Sequence, residues 1–242
     1  MKDRTKNIVV TILFPLLLIG FLAAFLCKPA AEISVSERRK LDQAPKLTLD
    51  AVLNGQFFSD FEDYTLDQFP LREEFRTLSA LYRFRLMQQK DNNKIYLADG
   101  SIFKLEYPMN EKYVVGAADK LNSLYDKYLS GMNVYFSIIP DKNYFAAESN
   151  GYPSLDYERL EALMLENVKN MTYIDLFSAL SLSDYYKTDT HWRQEALTPV
   201  LEALGAGMGF DAPPLSGAVP NSFSPFYGVY YGQSALPVGH DT

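Results

Sequence analysis

Cysteine occurs once in these 242 residues, at Cys27, tryptophan once, and histidine only twice, at His191 and His240. One cysteine excludes an intrachain disulfide framework. Two histidines and one cysteine leave too few ligands for an ordinary zinc site, although oxygen-ligated metals stay open. The chain also lacks a Gly-rich phosphate loop, a His-Glu-x-x-His pair and a Gly-x-Ser-x-Gly elbow. No metal or cofactor is therefore expected. Apolar residues, by contrast, are plentiful: 48% of the chain is hydrophobic and 14% aromatic, too much for a disordered protein.

The longest uncharged run lies at the start. Lys2, Arg4 and Lys6 precede Ile8 to Cys27, about 20 residues, enough to cross a hydrocarbon core as a helix. A signal peptide is the other reading, but its apolar core usually spans only about 7–15 residues and ends in a small-x-small site. Here the run continues into Phe25-Leu26-Cys27-Lys28, which favours an uncleaved anchor over residues 1–28. Pro15 is tolerable inside such a span. The bulky Phe25 and Leu26 argue against a lipid-attachment cysteine at Cys27. With its basic flank first, the span places everything after Lys28 on the extracytoplasmic side, in the cell envelope.

The whole chain carries a formal charge of −7, from 23 basic and 30 acidic residues. Setting aside Lys2, Arg4 and Lys6 against Asp3 leaves 20 basic and 29 acidic, a balance of −9 for the exported part. That balance, with no basic stripe, excludes nucleic acid as a partner and suits a neutral or weakly charged glycan.

Residues 29–48 are polar and charged, with Ser36-Glu37-Arg38-Arg39-Lys40 at their centre, and read as a linker. Residues 49–242 read as one domain. Within it, Leu49 to Tyr64 has helical spacing weakened by Gly55, and a second helix restarts after Asp67-Gln68-Phe69-Pro70. Lys94 to Leu105 alternates around Asp99-Gly100, the signature of a tight hairpin. A helix over Glu111 to Leu129 leads into Val134-Tyr135-Phe136-Ser137-Ile138-Ile139, a continuous run that predicts a buried central strand ended by Pro140-Asp141-Lys142. Another helix, Leu155 to Val168, and a strand, Met171 to Ile174, follow. This order predicts an α/β protein with a parallel sheet covered by helices on both faces, a three-layer α/β/α architecture. From Gly207 onward the composition predicts loops.

The chemistry concentrates at Tyr185-Tyr186-Lys187-Thr188-Asp189-Thr190-His191-Trp192-Arg193, just before a helix marked by Ala196, Leu197, Val200, Leu201 and Leu204. In a turn, an Asp two residues before a His can fold its carboxylate onto Nδ1. That fixes the tautomer in which Nε2 accepts a proton. In a regular helix the two side chains would diverge. Taken alone, Asp-x-His also fits a surface histidine beside a helix-capping aspartate. Trp192 reads as core under either interpretation.

The segment Thr188-Asp189-Thr190-His191-Trp192 resembles the signature of the DHHW family and the related alginate O-acetylation proteins, with Thr190 where the family name has its first histidine. The resemblance extends to Glu37-Arg38-Arg39-Lys40-Leu41 with Pro45, to Asp67 through Arg72, to Ala98-Asp99-Gly100 and to Ile139-Pro140-Asp141-Lys142. It implies an SGNH-hydrolase-like fold and an extracytoplasmic polysaccharide O-acetyltransferase or esterase working by Ser-His-Asp acyl transfer. Asp189 would orient His191, the general acid/base. It also implies a glycan substrate and a membrane-bound O-acyltransferase partner that delivers acetyl groups. The family's serine follows the motif in a further strand and turn. Ser234, in Gly232-Gln233-Ser234, lacks that setting, so an incomplete, C-terminally truncated catalytic unit is the expectation. The alternative is a non-catalytic glycan-binding or scaffold module that uses exposed aromatics.

Overall fold

The structure, a computed structural model, describes residues 3–212, 221–222 and 224–241. It is mixed α/β, and its contacts separate the chain into two compact units, Met1–Tyr82 and Arg83–Thr242.

The first unit begins with α1 (Asp3–Cys27), 25 residues that contain an 18-residue stretch of mean hydropathy 2.8, none of them buried. It is long and apolar enough to cross a membrane. Residues 29–48 do not form the expected free linker. They fold into a short antiparallel pair, β1 (Ile33–Ser34) with β2 (Arg39–Lys40), which is held against the end of a helix. The sequence expectation for Leu49 to Tyr64 resolves into α2 (Leu49–Leu53) and α3 (Gln56–Asp67). They divide at Gly55, whose φ of +84° suits glycine. After the Phe69-Pro70 break comes α4 (Arg72–Leu81).

Asp67 explains why the presumed linker folds. Its carboxylate accepts from both Arg39 guanidinium nitrogens, at 2.7 and 2.5 Å, and from the Asp42 amide at 2.9 Å. The Arg39 hydrogen bonds hold the Asp67 carboxyl down at about 2 against the opposing effect of burial. Next to it, the Gln68 side chain bonds both backbone groups of Ala31 and the Asp42 carbonyl. A charged stretch that looks solvated in isolation thus finds buried partners about 30 residues away. The boundary falls after Tyr82 instead of near residue 48 because β1 and β2 belong to the same body as α3.

The second unit is built on the expected hairpin, β3 (Ile95–Ala98) with β4 (Ser101–Lys104). Asp99 and Gly100, at φ of +48° and +71°, make the turn. Alternation sends Ile95 and Ile102 to one face and Tyr96 and Phe103 to the other, and all four are essentially inaccessible to water. The next elements are α5 (Glu111–Leu124), β5 (Tyr135–Phe136), α6 (Lys142–Ala146), α7 (Tyr157–Asn167), β6 (Thr172–Tyr173), α8 (Thr198–Met208) and α9 (Val229–Ser234). The Tyr96 face packs on Ala146 of α6, and the Ile95 face on Val229, Tyr230 and Tyr231 of α9.

Strands β5 and β6 pair in parallel, with Tyr135 opposite Thr172 and Phe136 opposite Tyr173. Ile174 and Tyr135 pack with Val200, Ala203 and Leu204 of α8. Burial and then Glu161 of α7 push the Tyr173 hydroxyl up. A parallel pair of short strands separated in the chain by α6 and α7, with α8 packed against it, is present. The expected central strand over Val134 to Ile139 is not: among the described residues only Tyr135 and Phe136 form a ladder, with one partner strand, and Ile139 is 53% exposed. The apolar run reports that a segment packs on helices. It does not report how many strands flank it.

The C-terminal segment also differs from its expectation. Residues 213–220, 223 and 242 lie outside the described residues, but α9 forms where loop was expected.

Candidate active site

The Asp189 loop is closed at its neck by backbone pairing. Tyr185 bridges Trp192, the Tyr186 amide donates to the His191 carbonyl at 3.1 Å, and the Arg193 amide to the Asp184 carbonyl at 2.7 Å. Trp192 packs against the core around Ile174 and Leu176 and is a packing residue. Inside the neck the backbone is not helical, as the Asp-x-His reading requires.

The Asp189 side chain is 1% exposed, while that of His191 is 75% exposed. Oδ1 of Asp189 lies 2.5 Å from Nδ1 of His191 and also accepts the His191 amide at 3.1 Å. Oδ2 accepts the Val229 amide at 2.7 Å, so the carboxylate is fixed at both oxygens. Burial would raise the Asp189 carboxyl, but the Val229 N–H, followed by the His191 side chain and amide, outweighs it and holds the group below its ordinary value. An ionised carboxylate only accepts, so Nδ1 must carry the proton facing it. In the neutral imidazole Nε2 then carries the free lone pair, on a ring open to solvent. The arrangement is a buried carboxylate that orients an exposed imidazole, with Nε2 open to act as a base.

Three groups hold this loop, and the sequence signalled only the segment that contains the third, Lys142, not its contact here. The start of α9 is the first. Amides of Gly228, Val229, Tyr230 and Tyr231 donate to Thr188 Oγ1, Asp189 Oδ2, the Thr188 carbonyl and again the Thr188 carbonyl. The orphan donors of a helix start are thus satisfied by the Thr188-Asp189 segment, 40 residues earlier. The second is Asp241, 7% exposed, whose carboxylate accepts from the Lys187 and Thr188 amides at 2.8 Å each and from Thr188 Oγ1 at 2.5 Å.

The third is Lys142, 3% exposed, whose Nζ donates to the carbonyls of Ile102, Tyr186, Lys187 and Asp189 at 2.8, 2.8, 3.0 and 3.3 Å. Burial pushes its ammonium down to about 8, with Asp241 and Asp189 acting in the opposite direction. Lys142 thereby joins the Ile139-Pro140-Asp141-Lys142 segment to the His191 loop. Tyr185 adds a hydroxyl bond to the Pro140 carbonyl at 2.5 Å. Asp141 caps α6 through the Asn143 amide and accepts the Tyr157 hydroxyl, a structural role.

Ser234 is fully buried at the end of α9. Its Oγ donates to the Tyr231 carbonyl and accepts the Leu236 amide, so it is structural. His240 lies against the Tyr227 ring. Among the described residues no hydroxyl is hydrogen-bonded to His191, and no group of three His, Cys, Asp or Glu side chains is placed to hold a metal ion. Compared with known protein families, curated proteins and solved structures, the chain matches none.

Proposed function

We propose that the chain acts on the extracytoplasmic side of a membrane as the acid/base part of a polysaccharide O-acetyltransferase or esterase. The observation that carries this reading is the Asp189–His191 pair, a buried carboxylate locked on Nδ1 of an open imidazole. In acyl transfer, Nε2 would take the proton of an attacking hydroxyl and return it to the leaving oxygen. Asp189 would stabilise the imidazolium formed between those steps. The acidic balance of the exported part favours a neutral or weakly charged glycan. A membrane-bound O-acyltransferase is the partner proposed to supply the acetyl group. The three-layer SGNH-like architecture is part of the same proposal, supported by the parallel pairing of β5 with β6 and the packing of α8 on it.

A second reading, a non-catalytic glycan-binding or scaffold module, is favoured by the lack of a hydroxyl bonded to His191 among the described residues. An ester-cleavage assay separates the two without requiring a serine. Acetyl release from an aryl acetate should exceed that of free imidazole in the wild type. It should fall to the imidazole level in Asp189→Ala and to the buffer background in His191→Ala. Oriented acid/base groups are worth about 10²–10⁴-fold when fully employed, and part of that should be visible here. Equal rates in all three proteins would leave only the non-catalytic reading.

A further inference from the structure

The first unit carries an apolar face that its own fold does not cover. Phe57, Phe61 and Tyr64 recur at i, i+4 and i+7 on α3, and Leu71, Phe75 and Leu78 do so from the start of α4. Phe61, Leu71, Phe75 and Leu78 are 44%, 57%, 44% and 62% exposed. What covers them follows from their contact with α1. The Phe21 ring stacks on Phe69 at 5.4 Å and meets Phe75 at 5.8 Å, and the Phe25 ring meets Tyr64 at 5.5 Å. Phe21 and Phe25 belong to the apolar run itself. At about 1.5 Å of rise per residue, Phe21 lies roughly 9 Å inside the Cys27 end of that run. A ring stacked on Phe21 is therefore at hydrocarbon depth if α1 spans the bilayer.

We infer that the apolar face of α3 and α4 lies in the bilayer leaflet at the C-terminal end of α1, as a surface-lying element beside the span. Amphipathic helices that lie in a membrane interface bury their apolar face by about 5–10 Å, which matches the depth set by Phe21 and Phe25. The charged residues nearby do not oppose this. Asp67, two positions before Phe69, is paired with Arg39, and Arg72 with Glu37 at 2.7 Å. This inference rests on reading α1 as a membrane span.

The test is spin-label depth measurement on the full chain in phosphatidylcholine liposomes, with the one native cysteine removed as Cys27→Ser. Labels at Phe61→Cys and Leu78→Cys report the face, Ser59→Cys and Asp63→Cys the exposed polar side of α3, and Leu17→Cys the span. The expected result is an oxygen-to-nickel-complex collision ratio several-fold higher at 61 and 78 than at 59 and 63, approaching that at 17. A high ratio at 17 with water-like values at 61 and 78 would overturn the inference while leaving the span intact. So would low collision with both reagents at 61 and 78, the mark of a protein contact such as a second copy. A water-like ratio at 17 would overturn the span and the inference together.

Discussion

Gly228→Ala is expected to destabilise the second unit by about 2–4 kcal/mol and to loosen the hold of Asp189 on His191. The reason is space alone. Gly228 has φ of −73° and ψ of 171°, a conformation open to any residue. At most helix starts a serine or asparagine would serve better as a cap. Here a Cβ would stand 2.2 Å from the Thr188 carbonyl oxygen and 2.5 Å from Asp189 Cβ. Both are parts of the clamped loop and neither is a flexible side-chain end. The chain at Gly228 must retreat, taking with it the Val229 amide that holds Asp189 Oδ2. Thermal unfolding reads the stability loss. A control is Gly116→Ala in α5, where a Cβ meets nothing within 4 Å. That change should be neutral or stabilising, by up to about 1 kcal/mol. Equal tolerance at the two positions would show that the Thr188 approach is not tight.

Lys142→Met should cost about 3–5 kcal/mol, because it withdraws one ammonium from four buried carbonyls and leaves the methylene stem's volume nearly unchanged. Three of those carbonyls belong to the Tyr186 to Asp189 loop and one to Ile102 of the hairpin. The same variant should therefore raise amide exchange at Lys187 and Thr188 more than at Thr172 or Tyr173. The pH dependence has a definite sign. The folded value is lowered to about 8 from an ordinary 10.5. Between those values the unfolded chain binds the extra proton, so the wild type gains stability over Lys142→Met as pH rises through that window. A variant of wild-type stability, or a difference that shrinks across the window, would remove Lys142 from the account.

Much of the molecule is legible locally. Asp99-Gly100 specifies its hairpin because both turn residues must take positive φ. Helices α3, α4, α5, α7 and α8 follow from apolar spacing and α1 from the length of one run, whereas α6 and α9 carry no such signal. The Asp189–His191 pair could be read because its two members stand two positions apart in a segment that does not continue a helix. What the sequence conceals is distant. Gly228 meets Thr188 across 40 residues, Lys142 meets Tyr186 across 44, and Asp241 meets Lys187 across 54. No periodicity records such partners. Asp241 stands beside a histidine that draws the attention, yet the carboxylate is the group that organises the loop. The polar segment before residue 48 misleads for a related reason: polarity marks a tether only if its charges stay in water, and Arg39 instead meets a buried Asp67.

The central claim is that Asp189 sets the tautomer of His191 and leaves Nε2 as the base. Nitrogen-15 NMR of the imidazole, in a His240→Asn background so that one ring is observed, measures this directly. In the neutral ring, the Nδ1–H form should dominate in the wild type. Asp189→Ala should shift the ring to the Nε2–H form that an unpaired histidine prefers. A wild-type ring already in the Nε2–H form, or one unchanged by Asp189→Ala, would contradict the assignment of His191 as an oriented base.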